Sequence, residues 1–274
     1  MGYDSVDTSL PLIPDIHIYD ELESTNQTLW DLMEQGAKAG TVAIARQQTA
    51  GKGQWGRQWT SAIGGLYLSF ALEPSIPVHH SPHLILSTVW GVALALRACQ
   101  LPVSIKWPND LVVEQSPAQL YKLGGILTET RITGQSIHQA VIGIGLNGAN
   151  PVPQPGINLM NVPSPEPLDS LNKLAAIAIY GIRSGWYRLQ SGGIEAMLKD
   201  YNQLLVHRDR WVEIEWEGRS QWVRVLGVTS TGHLRAQLTH EKTEQFTGTS
   251  SPPSSSIEEI RIPPGMIQLG YRTS

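Results

Sequence analysis

Cysteine is almost absent from this chain of 274 residues: there is one, Cys99, so no internal disulfide can form. Cys99 lies among Ala, Leu and Val at helical spacing, without the electropositive surround that activates a thiol, and reads as a plain core residue. Charge is scarce as well. Asp, Glu, Lys and Arg make up 16% of the residues, with a net charge of −4 and a pI near 6.1, where soluble domains usually carry about 25%. A chain that grips nucleic acid through bulk charge is usually basic, so any cationic site here must be local. Long apolar runs are also missing. The most apolar stretch, residues 84–101, contains Ser87, Thr88, Arg97 and Gln100 and reads as a buried helix rather than a membrane span of about 20 apolar residues. No basic leader opens the sequence, so the expected compartment is the cytoplasm.

What is present suffices for a sizeable core: 41% of residues are apolar. At roughly 150 residues per domain the length suits one large domain with a small companion. After an arm over residues 1–15, a strand is expected at residues 17–19. Ser24-Thr25-Asn26-Gln27 has the Ser-x-x-Gln form of a capping box before Leu29, Leu32 and Met33, predicting a helix that stops at Gly36. Strands are expected over 41–46 and 66–72, joined by a long glycine-rich loop anchored by Trp55, Arg57 and Trp59. A helix over 84–100 precedes a hairpin, 103–107 and 111–114, turning at Pro108-Asn109-Asp110. Strands at 122–128 and 137–146 follow, the second apolar enough to be buried on both faces. A proline-rich connection leads to helices at 169–189 and 194–205. From Arg210 the pattern becomes short strands between glycine turns, suggesting a small barrel, with residues 251–256 a low-complexity loop.

Some motifs carry little. Gly51-Lys52-Gly53-Gln54-Trp55-Gly56 has dinucleotide-fingerprint spacing, but it leads to Gly64-Gly65 and another strand rather than into a helix. It does offer unshielded backbone N–H groups beside Lys52 and Arg57, suited to a phosphate or carboxylate. His79, His80 and His83 lack an acidic companion and read as a polar loop. Lys106 and Lys122 sit in or beside apolar strands, where an ammonium needs an anionic partner.

Taken in order, Ser-Thr-Asn at 24–26, QQTAGKGQWGRQW, KWPNDL, KLGGIL with Glu129 behind it, and VIGIGLN resemble the biotin protein ligase family over residues 24–147. The resemblance implies an α+β fold: a central mixed sheet flanked by helices, like class II aminoacyl-tRNA synthetase catalytic domains, then an SH3-like β-barrel. Domains are expected over 1–207 and 208–274. It also implies attack of the biotin carboxylate on the α-phosphate of ATP, giving biotinyl-5′-AMP, and transfer to a lysine of a biotin carboxyl carrier protein. Mg²⁺ is expected with ATP. Joining two anions calls for positive groups rather than a covalent nucleophile, which fits the lack of a Ser-His-Asp or Cys-His arrangement.

By resemblance the catalytic residues are Lys122, Lys52 and Arg57. Biotin is expected on Ser24, Thr25, Asn26, Gln48, Gly51, Lys52, Gly53, Gln54, Trp59, Lys122, Gly124, Gly125 and Gly143. The nucleotide is expected on Lys52, Gln54, Arg57, Asn109 and Asn147, with no metal ligand from the chain. The family loop is commonly Gly-Arg-Gly-Arg-x-Gly-Arg, whereas its first two arginines are Lys52 and Gln54 here; lysine loses the planar fork and glutamine the charge. Gln54→Arg is therefore expected to slow escape of biotinyl-5′-AMP, and an unchanged release rate in a trapped-intermediate assay would refute this. A lipoate ligase or octanoyl transferase is the nearest alternative, but its loop runs roughly Arg-Arg-x-Ser-Gly-Gly-Gly. A non-catalytic biotin-binding module is a third. The resemblance is to the form without an N-terminal DNA-binding domain, so operator binding is not expected; a monomer and a homodimer both remain open.

Overall fold

A computed structural model describes residues 10, 14–116, 119–166, 168–239, 257–267 and 269–271. Its first sheet contains β1 (Ile16–Leu22), β2 (Val42–Gln48), β3 (Leu66–Leu72), β4 (Ile76–Pro77), β5 (Val103–Lys106), β6 (Asp110–Ser116), β7 (Gln119–Thr133) and β8 (Ser136–Leu146). The order is β1-β2-β3-β8-β7-β6-β5, with β4 on the end of β8. Only β1 and β2 run parallel; the other pairs are antiparallel. The all-buried run LYLSFAL of β3 and the apolar end of β8 put the core at the sheet's centre, as strands covered on both faces require.

Period-two alternation divides that core. Leu66, Leu68, Phe70, Ile142, Ile144 and Leu146 face α2 (Ser81–Ala98) and α3 (Leu171–Leu204), while Ala43, Ala71 and Val141 pack with Leu29, Trp30 and Met33 of α1 (Thr25–Glu34). The two long helices cross closely because Gly91 meets Gly181 and Gly185, where any Cβ would strike backbone. A second sheet, in order β9-β10-β11-β12, is antiparallel: β9 (Trp211–Trp216), β10 (Arg219–Val228), β11 (Leu234–Thr239) and β12 (Ile257–Ile262). Several ties bind it to the first. Trp107 Nε1 donates to Gly232 O at 3.0 Å, His83 Nε2 donates to Ser230 O at 2.7 Å, and Arg210 makes a two-pronged ion pair with Glu114 at 2.8 and 3.0 Å.

The two expected C-terminal helices lie end to end along α3 and part at a kink at Gly193, whose φ 70°, ψ 175° lies outside helical space and is open to glycine. Three expectations need correction. The capping box does not form. Ser24 makes no side-chain cap bond; Gln48 Oε1 accepts from Thr25 N at 2.8 Å, and the Gln27 side chain donates to Asp31 rather than reaching back to Ser24. Cys99 is not in the core: α2 ends at Ala98, Gln100 takes φ 60°, and the thiol is half-buried beyond the last turn. The three histidines are not a loop alone, since His83 lies within α2, its ring stacked on that of His80, which His79 meets edge-on. The low-complexity loop at 251–256 and most of the N-terminal arm lie outside the described residues. No helix among the described residues is long and apolar enough to cross a membrane.

His207, where the chain leaves α3 for the second sheet, is fully buried, and neither ring nitrogen meets a protein partner. Burial, with Lys106 and Arg210 nearby and only Glu114 opposing them, pushes its pKa down to about 3. Since the unfolded chain binds the proton near pH 6.5 and the fold does not, stability is fully present above that value. It falls as the pH is lowered towards 3, by up to about 1.4 kcal/mol per pH unit. His207→Leu should flatten the dependence of the unfolding midpoint on pH between 6.5 and 4; an unaltered slope would exclude this source.

Candidate active site

On the α1 face of the sheet lies a cleft of about 490 Å³, the open space at its mouth included, a size suited to a small molecule. Its walls come from Ser24, Thr25 and Asn26 at the start of α1, Gln48 at the end of β2, and the loop residues Lys52, Gly53, Gln54 and Trp59. Asn109, the β7 residues Lys122, Gly125, Ile126 and Leu127, and Gly143, Ile144 and Gly145 of β8 complete it.

A chain of hydrogen bonds fixes the wall. Gln48 Oε1 accepts from Thr25 N and from Thr25 Oγ1 at 3.1 Å, and Gln48 Nε2 donates to Ser61 Oγ at 2.8 Å, which donates to Trp59 O at 3.1 Å. Ser69, projecting from the middle of β3, places its hydroxyl 2.8 Å from Thr25 Oγ1 and 2.6 Å from Asn26 Oδ1. Two donors are left over. Asn26 Nδ2 and Trp59 Nε1 are buried without a partner, and such groups are costly unless a ligand acceptor meets them. Glycines make room for both: a Cβ on Gly143 would run into Asn26 Oδ1, and one on Gly145 would lie 2.5 Å from the Trp59 indole.

The cleft's charge comes from a compact cluster. Lys122 Nζ is 2.7 Å from Asp110 Oδ1, while Lys106 Nζ at 3.5 Å and the Tyr271 hydroxyl at 2.7 Å share Oδ2. A bulge brings Lys122 to this side: Leu111 pairs with Gly124 but Val112 with Lys122, so Leu123 is an extra residue and the alternation of β7 shifts by one. Burial would push the Asp110 carboxyl up, but the two ammonium groups, with hydrogen bonds from Lys122 and Tyr271, hold it below the usual carboxylate range. Burial lowers the pKa of Lys106, partly offset by Asp110, and Lys122 and Arg57 push it the same way as burial. One carboxylate between two lysines, with Arg57 near, leaves positive charge uncompensated in a half-enclosed site, an arrangement for anions.

The glycine-rich loop folds back on itself: Gly53 N donates to Arg57 O at 2.7 Å and Trp59 N to Gly51 O at 2.9 Å, while Trp55 packs over Gly265 near the C-terminus. Of the residues singled out from sequence, Ser24, Thr25, Asn26, Gln48, Lys52, Gly53, Gln54, Trp59, Asn109, Lys122, Gly125 and Gly143 come together in the cleft wall. Gly51, Gly124, Arg57 and Asn147 do not line it. Gly51 makes room for Trp59 O and Ser61, Gly124 for Leu146, and Arg57 is an exposed loop residue whose charge bears on Lys106 and Tyr271. Asn147 is buried, donating to Lys122 O at 3.3 Å and Ile157 O at 3.2 Å, so its amide holds β7 to the following loop. Asn109, although in the wall, gives its amide to Ile126 O at 2.8 Å. Sequence reasoning passed over Asp110, Ser69, Ser61, Gly145 and Tyr271. Asp110 alone had a signal, as the acid next to two lysines in need of one.

Fold and cleft together define an α+β protein with a half-enclosed site, at one face of a mixed sheet, whose donors and positive charge suit a hydrogen-bonding, anionic small molecule. The fold is that of biotin protein ligases: the solved structure of the Aquifex aeolicus biotin protein ligase in complex with biotin and ATP superimposes with a TM-score of 0.69 at 21% identity, over 94% of this chain and 99% of that one. Residues 19–147, a little under half of the chain, match the Biotin/lipoate A/B protein ligase family. Among curated relatives, the bifunctional ligase/repressor BirA of Bacillus subtilis is 36% identical over 47% of this chain and 39% of its own length. That of Salmonella typhimurium is 34% identical over 70% of this chain and 60% of its own. The chain thus spans about two fifths to three fifths of the relatives' length.

Proposed function

We propose that this chain is a biotin–protein ligase that forms biotinyl-5′-AMP from biotin and ATP and transfers the biotinyl group to a lysine of a biotin carboxyl carrier protein. The observation that carries this reading is one cleft combining unpartnered donors, Asn26 Nδ2 and Trp59 Nε1, with the Lys122–Asp110–Lys106 cluster. A ureido ring supplies the acceptor that the buried donors lack, and a carboxylate and a phosphate supply the negative charge that the cluster lacks. The bound ligands of the Aquifex aeolicus protein are of this chemistry.

In the first step a biotin carboxylate oxygen bonds to the α-phosphorus as the bond to the β-phosphate oxygen breaks, and pyrophosphate leaves. Lys122 offsets the repulsion between the two acids, and Lys52 and Arg57 stand on the loop that shields the anhydride. In the second step the carrier's amine attacks the acyl carbon, an amide forms, AMP leaves, and the amine loses a proton to solvent. Among the described residues no three His, Cys, Asp or Glu side chains could hold a metal, and both oxygens of Asp110 are engaged. In this scheme Mg²⁺ enters with the nucleotide, whose phosphates supply most of its oxygen ligands. Residues 1–207 and 208–274 serve as catalytic and accessory domains, each built on its own sheet.

Incubation with biotin, ATP and Mg²⁺ is expected to release pyrophosphate only when biotin is present, with AMP following when a carrier domain is added. Pyrophosphate with lipoate or octanoate in place of biotin would assign the cleft to the other acids of the family. None with any of them would overturn the enzymatic reading.

A further inference from the structure

The C-terminal end of the chain reaches the charged cluster through one side chain. Tyr271 is fixed along its backbone, where its carbonyl accepts from Leu120 N of β7 at 2.9 Å. Its ring lies under Lys106 Nζ at 4.3 Å, and its hydroxyl donates to Asp110 Oδ2 at 2.7 Å. The residue does not line the cleft, so it acts on any ligand only through a neighbour. Nor is it suited to proton transfer, since burial and the Asp110 charge push its pKa up.

Asp110 has two oxygens for three donors. A carboxylate held only by two lysines could turn and divide either oxygen between them. With the Tyr271 hydroxyl and Lys106 both on Oδ2, Oδ1 is left to Lys122 alone, at 2.7 Å. One of the three N–H donors of Lys122 is then committed in a fixed direction, and the others are free to meet anions in the cleft. We propose, on the reading of the cleft as a biotinyl-adenylate site, that Tyr271 is a positioning residue for adenylate formation: its hydroxyl selects which Asp110 oxygen faces Lys122 and so aims the Lys122 ammonium at the reacting groups.

The test compares full-length Tyr271→Phe with the parent chain in biotin-dependent exchange of pyrophosphate into ATP. Phenylalanine keeps the ring beneath Lys106 and the backbone bond and removes only the hydroxyl. The expected result is a fall in kcat of about tenfold, with biotin KM and calorimetric biotin affinity within twofold. Asp110→Asn should lower kcat by itself, and Tyr271→Phe added to it should cost less than a further twofold, because the two act as one unit. Should Asp110→Asn not fold, the split between kcat and KM in Tyr271→Phe decides alone. Parental kcat in Tyr271→Phe, losses in affinity and thermal midpoint that match the loss in kcat, or a full tenfold effect on the Asp110→Asn background would each overturn the proposal. No exchange by the parent chain would overturn the ligase reading beneath it, a different result from an active parent with an equally active Tyr271→Phe.

Discussion

Lys122→Ala should lower the rate of biotin-dependent pyrophosphate formation by about 10³-fold, roughly 4 kcal/mol, while biotin affinity changes by less than tenfold. The expectation rests on where the ammonium lies. It stands in the cleft wall, 2.7 Å from Asp110 Oδ1 and 5.2 Å from the centre of a Trp59 ring, and away from the Thr25–Gln48–Ser61 chain that shapes the polar pocket. Losing it leaves the wall intact but removes the charge that offsets repulsion as carboxylate and phosphate approach, which is a transition-state loss rather than uniform binding. Asp110 keeps Lys106 and Tyr271, so the fold should survive. Rapid-quench measurement of adenylate formation beside calorimetric titration with biotin separates the two quantities. Adenylation within threefold of the parent would remove Lys122 from the chemistry.

The second large effect belongs to Gly143. Valine there would drive its side chain into Asn26 Oδ1, with Asn26 Cγ only 3.0 Å from the first added carbon. Asn26 cannot retreat: Ser69 Oγ holds it at 2.6 Å, on a helix whose first turn is tied to Gln48. The substitution fills the space beside the unpartnered Nδ2, so biotin affinity should fall by at least about 100-fold, or roughly 2.7 kcal/mol, with ATP affinity little changed. Equal affinities for biotin in Gly143→Val and the parent chain would mean that the vitamin's head does not reach Asn26.

Most strands were readable because their apolar runs are long and bounded by glycine and proline, and neighbours in sequence could be grouped along each motif. What stayed hidden depends on groups far apart in the chain. Asp110 reads as the last residue of a turn; only the fold shows that its side chain joins Lys106 from β5, Lys122 from β7 and Tyr271 from beyond the second sheet. Gly145 looks like one more small residue in an apolar strand until Trp59, from a distant loop, is found over it. Asn147 shows the opposite case. An asparagine ending a motif near the cleft suggests a ligand contact, yet its amide is spent on Lys122 O and Ile157 O. The start of α1 is a further case: Gln48, a tertiary neighbour, meets its first N–H, and the local bond expected from Ser24 is not made.

The surplus residue at Leu123 makes the direction of Lys122 a matter of parity. Were β7 regular from Lys122 to Ile126, those two residues would share a face, and the ammonium would turn into the oily layer around Ile126 and away from Asp110. The bulge therefore lets one short strand serve two opposite faces, and losing it would cost either the charge in the cleft or the packing behind it.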